Sequence, residues 1–153
     1  RVMECLNYSK VGSTEDIKNE IDRMVREEKL SLKQAECIKL KDIDTFAGSS
    51  IGERIKRAYA YGGVKREQPF VFEYDRQLVQ GVIDLYFIED GQLVIVDYKT
   101  DRVLRGRAGE DELRRRYSIQ LDYYAMALSQ ITGLKVKEKV IYSFALGRSL
   151  TVE

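Results

Sequence analysis

Along the first sixty positions apolar residues recur at helical spacing. Ile17, Ile21, Met24 and Val25 mark one face of a helix predicted from Thr14 to about Lys29, with Ser13 or Thr14 as its N-cap and Asp16 in its first turn. Ser31 caps a second stretch in which Leu32, Ala35, Ile38 and Leu40 recur, and the pattern predicts one helix running on to about Phe46. A third, shorter helix is expected from Ser49 to about Tyr59, ending near the Gly62-Gly63 break. The opening Arg1-Val-Met-Glu-Cys-Leu6 also has helical character but neither a cap nor an initiator methionine, as expected of a piece of a longer chain.

After Gly63 the period shortens. Glu67 to Tyr74 alternates, with Phe70 and Phe72 on one face and Val71 and Glu73 on the other. Gln77 to Ile88 and Leu93 to Thr100 are rich in Val, Ile, Leu and Tyr and flank Asp90-Gly91, a strong two-residue hairpin signal. A long helix is predicted from about Gly109 to Thr132 with Gly133 as its C-cap, then a strand from Val136 to Phe144, a turn at Gly147 and a short edge strand to Val152. Helices, three strands, a helix and further strands imply an α/β fold with a mixed sheet. Residues 1–62 form its helical N-terminal part and 63–153 its core.

Composition narrows the chemistry. With 44% hydrophobic and 33% charged residues, the chain has apolar surface enough for a packed domain, and no apolar run approaches the roughly 18–20 residues of a membrane span. Lys and Arg number 26 against 25 Asp and Glu, so contact with a nucleic acid must come from local patches. There is no histidine, which excludes catalytic triads and histidine-based zinc sites built from this chain alone. Cys5 and Cys37, far apart, suit reduced thiols in the cytoplasm and cannot make a four-cysteine zinc or iron–sulfur site.

The hairpin brings charges together. If Asp90-Gly91 is the turn, cross-strand partners sum to 181, so Ile88 faces Leu93, Tyr86 faces Ile95 and Asp84 faces Asp97. The two aspartates then have Cβ atoms roughly 4.5–5.5 Å apart, a destabilising juxtaposition inside apolar strands. Lys99 falls on the same face, opposite Val82, while Ile83, Leu85, Phe87, Val94, Val96 and Tyr98 form an apolar opposite face expected to pack the core. One reading is an internal salt bridge, with Lys99 neutralising one aspartate and the other reaching solvent. The other is a divalent cation, since one lysine cannot neutralise two carboxylates, and oxygen ligands suit Mg²⁺ or Mn²⁺.

Gly81-Val-Ile-Asp84, then Val96-Asp-Tyr-Lys-Thr-Asp101, then Gln120-Leu-Asp-Tyr-Tyr124 resemble in order and spacing the PD-(D/E)xK nuclease motifs in their RecB-like form. Glu67-Gln-Pro-Phe70 and Glu138-Lys-Val-Ile-Tyr142 look most like the C-terminal nuclease domain of AddA-type helicase–nuclease subunits. The resemblance implies a restriction-endonuclease-like fold and a Mg²⁺-dependent DNA exonuclease within a bacterial, cytoplasmic complex that processes double-strand breaks for recombinational repair. It implies an AddB-type partner and a DNA strand fed by helicase domains. It makes Asp84, Asp97 and the main-chain carbonyl of Tyr98 metal ligands and Lys99 the catalytic lysine. Gln120 and Tyr124, four apart on one helix face, would contact DNA or orient the site, although Tyr124 also suits a core position and Gln120 a solvated one. Glu67 is either an additional acidic group near the metal or an exposed glutamate at a strand start. The family pattern also has a metal-binding histidine in a G-T-x-x-H segment, and Arg1-Val-Met-Glu4 would fall directly after it. AddB-type relatives bind an iron–sulfur cluster through four cysteines, a pattern that this chain lacks.

Arg102, Arg105 and Arg107, then Arg114, Arg115 and Arg116 beside Tyr117, flank the predicted cleft. They suit the phosphates of a single strand, with tyrosines to stack on, and equally a solvated face balanced by Glu110, Asp111 and Glu112. Two other functions share the motif: a non-cleaving DNA-binding or docking module, and a nuclease of a defence or mobile-element system.

Overall fold

The helical spacing of the first sixty residues is realised in the computed structural model, which describes residues 1–153. The chain divides into two units, Arg1–Gly62 and Gly63–Glu153. In the first, α1 (Val2–Cys5) and a 3-10 turn (Tyr8–Lys10) precede α2 (Thr14–Arg26). Ser13 caps α2 by accepting the Asp16 N–H, and Ile17, Glu20, Ile21 and Met24 form its buried stripe. Glu20 is a carboxylate within that stripe. Arg23 Nη2 meets it at 2.7 Å and the Asn7 N–H at 3.0 Å, and Arg23 also donates to the Cys5 carbonyl at 2.9 Å. Burial works to raise the Glu20 pKa, but the hydrogen bonds from Arg23 and Asn7 outweigh it and the carboxyl titrates below its usual range.

The single helix expected from Ser31 to about Phe46 is two: α3 (Leu32–Glu36) and α4 (Leu40–Ala47). Ile38 and Leu40 are two positions apart, about 200° of helical turn, so one helix cannot carry both on one side. The N–H groups of Cys37 and Ile38 turn back three residues to Gln34 and Ala35, closing α3, and Lys39 is extended before α4 begins. α5 (Ser50–Ala60) follows, capped by Ser49.

In the second unit β1 (Val64–Tyr74), β2 (Gln77–Glu89), β3 (Gln92–Lys99), β4 (Val136–Ser143) and β5 (Arg148–Val152) form one sheet in that order. The β3–β4 pair is parallel, bridged by α6 (Arg107–Thr132), and the others are antiparallel. Asp90 and Gly91 both take positive φ in their two-residue turn, and the pairs Ile88–Leu93, Tyr86–Ile95 and Leu85–Val96 follow the expected register. Gly133 ends α6 in the left-handed region and donates its N–H to Ser129.

Leu113, Leu121 and Leu128 are fully buried where α6 packs on Phe70, Tyr86, Leu93, Ile95 and Ile141 of the sheet. At roughly 1.5–3 kcal/mol of transfer free energy per buried leucine, packing rather than helix propensity holds this helix. The face expected to form the core is buried at Leu85, Phe87, Val94 and Val96, but so is the face that carries Asp97, at Leu93 and Ile95. Ile83, expected on the opposite face from Tyr86, joins it in the α6 cluster. Strict alternation along β2 therefore breaks between them, at Asp84. The β1–β2 ladder skips the same position, because Glu67, in register with Asp84, has φ +49°. No helix is long and apolar enough to cross a membrane.

Candidate active site

The β2–β3 ladder stops at Leu85–Val96, one position short of Asp84 and Asp97. Freed from the ladder, Asp84 turns its carboxylate to the main chain and accepts the Tyr98 N–H at 2.9 Å. That bond fixes the backbone of residue 98, and so the setting of its carbonyl. Asp97 stays inside, its side chain 2% exposed between the end of β3 and α6. Lys99 does not face Val82 as the hairpin arithmetic expected. With the β2–β3 ladder finished, Lys99 pairs with Ser143 on β4, and Val82 with Pro69 on β1.

The Lys99 ammonium is held from several directions. Nζ lies 2.6 Å from Asp97 Oδ2, donates to Gln120 Oε1 at 3.2 Å and sits 4.1 Å above the ring centre of Tyr117. Gln120 Nε2 in turn donates to the Tyr124 hydroxyl at 2.8 Å. Tyr124 belongs to both readings of the sequence: 6% exposed and edge-on to Phe70 at 5.5 Å, it is a core aromatic whose hydroxyl faces the acidic pair. Burial, then Asp97 and Asp84, push its pKa up to about 12, so it stays protonated.

Asp97 carries the strongest tension. Burial raises its pKa to about 6 against the pull of Lys99, and Asp84 and Asp101 add to the rise. Its Oδ2 lies 2.6 Å from the Lys99 ammonium in poor hydrogen-bond geometry, and no other donor reaches it. An under-satisfied buried carboxylate oxygen beside a second carboxylate is a donor set that fits a hard cation, which needs few protein ligands when it keeps its own water. No cluster of three or more Asp, Glu, Cys or His side chains suited to a metal is present, and Glu67, an exposed position of β1, does not complete one.

The arginines divide into two groups. Arg114 meets Asp111 at 3.1 Å and donates to the Thr151 carbonyl, and Arg116 pairs with Asp101 at 2.9 Å and with Glu112. Arg102, Arg105 and Arg115 project into solvent, as does Arg107, whose guanidinium lies 3.8 Å from Asp111. The loop bearing the first two lies hard against α6 at Gly109, where a Cβ would stand 1.8 Å from the Leu104 carbonyl oxygen.

The family model of the PD-(D/E)XK nuclease superfamily matches residues 7–150. The chain belongs to this superfamily. It is 35% identical to the AddA-type ATP-dependent helicase/nuclease subunit of Clostridium novyi, over 94% of this chain and 12% of that protein. To the subunit of the same name from Thermoanaerobacter sp. (strain X514) it is 40% identical, over 97% of this chain and 13% of that protein. The chain thus spans about an eighth of the length of these relatives. A solved structure of a Eubacterium rectale protein covers 94% of this chain and 57% of its own, at 19% identity and a TM-score of 0.48.

With membership of this superfamily, the mixed sheet with flanking helices is the restriction-endonuclease-like fold. Around the motif residues the structure adds two that sequence reasoning did not single out for the site. Tyr117 covers the lysine, and Asp101 accepts the Tyr117 hydroxyl at 2.7 Å. The signal for Tyr117 was present: with Gln120 and Tyr124 it sits at steps of three and four on α6, one continuous face. Asp101 closes the Val96–Asp101 motif, but its pairing with Tyr117, sixteen residues away, carried no sequence signal.

Proposed function

We propose that this chain is the nuclease domain of a bacterial helicase–nuclease protein and hydrolyses DNA phosphodiester bonds with Mg²⁺ or Mn²⁺. Asp84, Asp97 and the Tyr98 main-chain carbonyl would hold the cation, and Lys99 is the catalytic lysine. The observation that carries this reading is Asp97 Oδ2, buried beside a second carboxylate with no partner but the Lys99 ammonium. Membership of the nuclease superfamily and the helicase/nuclease names of the relatives support it.

When bound, the cation would supply a Lewis acid for the phosphate and a means of making water nucleophilic at neutral pH. Lys99 stabilises the negative charge that grows on the phosphate as water attacks in line. Gln120 fixes the ammonium through its carbonyl and is itself fixed through its amide by Tyr124, so the lysine meets the phosphate already oriented. Arg102, Arg105, Arg107 and Arg115 contact the backbone of a single strand delivered by the helicase part of the protein. Arg114 and Arg116, neutralised by carboxylates, hold α6 and Asp101 in place. The setting is double-strand-break processing for recombinational repair in the cytoplasm, beside an AddB-type subunit.

The test is Mg²⁺-dependent degradation of linear DNA by the full-length protein. Asp97→Ala and Lys99→Ala should each reduce it at least about a hundredfold while DNA is still bound. Undiminished cutting by either variant refutes the assignment, and a wild-type protein that binds DNA without cutting it makes the chain a docking module.

A further inference from the structure

Tyr117 takes no step in the hydrolysis itself, yet it is built into the site from both ends. Its ring lies beneath the Lys99 ammonium at 4.1 Å, within cation–π range. Its hydroxyl donates to Asp101 Oδ1 at 2.7 Å, and the same oxygen accepts from Arg116 Nη1 at 2.9 Å. Asp101 follows Lys99 by two residues, so the strand end that presents the lysine also anchors the ring it rests on. Arg116 and the Tyr117 hydroxyl engage Asp101, so this third carboxylate does not compete for the ammonium.

A ring face offers what another acceptor would not. Gln120 and Asp97 engage at most two of the three N–H groups of the ammonium, whereas the ring attracts it and takes no donor. An N–H remains for a phosphate oxygen, and the ring restrains the ammonium from swinging away.

We propose that Tyr117 is a positioning residue for Lys99, its ring holding the ammonium in reach of the substrate phosphate and its hydroxyl, fixed on Asp101, locking the ring. The inference rests on Lys99 being the catalytic lysine. Its test compares Tyr117→Phe, which keeps the ring, with Tyr117→Leu, which removes it, in the full-length protein. Tyr117→Leu should lower kcat at least about tenfold, the equivalent of about 1.4 kcal/mol, with KM and the Kd for single-stranded DNA within about twofold of wild type. Tyr117→Phe should keep kcat within about threefold, and Asp101→Asn, which leaves the ring in place, should match it. In a Lys99→Ala background Tyr117→Leu should cost nothing further. Circular dichroism and the thermal midpoint check folding, and Tyr117→Met replaces Tyr117→Leu should the latter fail to fold.

Wild-type kcat in Tyr117→Leu overturns the proposal. So does a loss expressed in KM and Kd, which would make Tyr117 a DNA contact, or a Phe variant as impaired as the Leu variant. If Lys99→Ala cuts like wild type, the nuclease assignment falls with it; an inactive Lys99→Ala beside a fully active Tyr117→Leu sinks the positioning role alone.

Discussion

Asp97 should make the metal-free chain less stable at neutral pH than in mild acid, and Asp97→Asn isolates the effect. Its pKa rises from 3.8 to about 6 on folding because burial outweighs the pull of Lys99. The folded state therefore binds this proton more tightly than the unfolded state. Stability contributed by protonated Asp97 is fully present below about pH 4, is lost as pH rises through about 6, and stays lost above. A shift of about two units at about 1.4 kcal/mol each amounts to about 3 kcal/mol. Asn cannot titrate, so the stability of wild type minus that of Asp97→Asn should fall by most of this amount between pH 4 and pH 7.5, with most other groups cancelling in the difference. Urea unfolding in EDTA, repeated across that range on both chains, reads it directly. Parallel curves, or a difference that grows with pH, would refute the account of Asp97 as a buried, under-satisfied carboxylate.

Three further outcomes follow from the packing. Glu20→Ala leaves Arg23 without its buried partner and the Asn7 N–H without its acceptor, and should cost about 3 kcal/mol in denaturant unfolding. Gly109→Ala places a Cβ 1.8 Å from the Leu104 carbonyl oxygen; it should lower stability by roughly 1–3 kcal/mol and weaken DNA binding, because the arginine loop must lift from α6. Replacing Arg102, Arg105 and Arg115 together by Ala should flatten the salt dependence of single-strand binding by about 0.7 in log–log slope for each phosphate no longer neutralised, whereas Arg114→Ala should leave the slope nearly unchanged.

The β2–β3 register was legible in the sequence because a two-residue Asp-Gly turn admits one pairing, and the pair sum of 181 holds down to Leu85–Val96. The ladder's end at Asp84 was not. It depends on Glu67 standing at φ +49° on the neighbouring strand and on Asp84 trading a ladder position for the Tyr98 N–H, both products of strand pairing rather than of local pattern. The break between α3 and α4 was legible in the two-residue step from Ile38 to Leu40, which no straight helix absorbs. Arg114 and Arg116 could have been set apart from their neighbours by Glu110, Asp111 and Glu112 at helical spacing, but the pairing of Arg116 with Asp101 exists only once the fold has formed. Glu20 reads as one more polar position on a surface helix. Only the arrival of Arg23 and Asn7 at the same point makes it internal.

These departures from regularity meet at one place, and a physical conflict drives them. Two carboxylates cannot sit opposed in an intact ladder among apolar side chains without a large cost. The sheet meets that cost by ending the ladder and giving Asp84 a main-chain donor, while Asp97 receives a lysine in poor hydrogen-bond geometry and nothing more. Full satisfaction of Asp97 would stabilise the chain and would also occupy the oxygen that a cation needs. Stability and cation binding are therefore opposed at this atom. At pH 7.5, free Mg²⁺ at ten times its Kd should stabilise the wild-type chain by about 1.4 kcal/mol. Asp97→Asn, which lacks the carboxylate, should gain nothing. If Mg²⁺ stabilises both chains equally, the cation does not bind at Asp97, and the broken ladder needs another explanation.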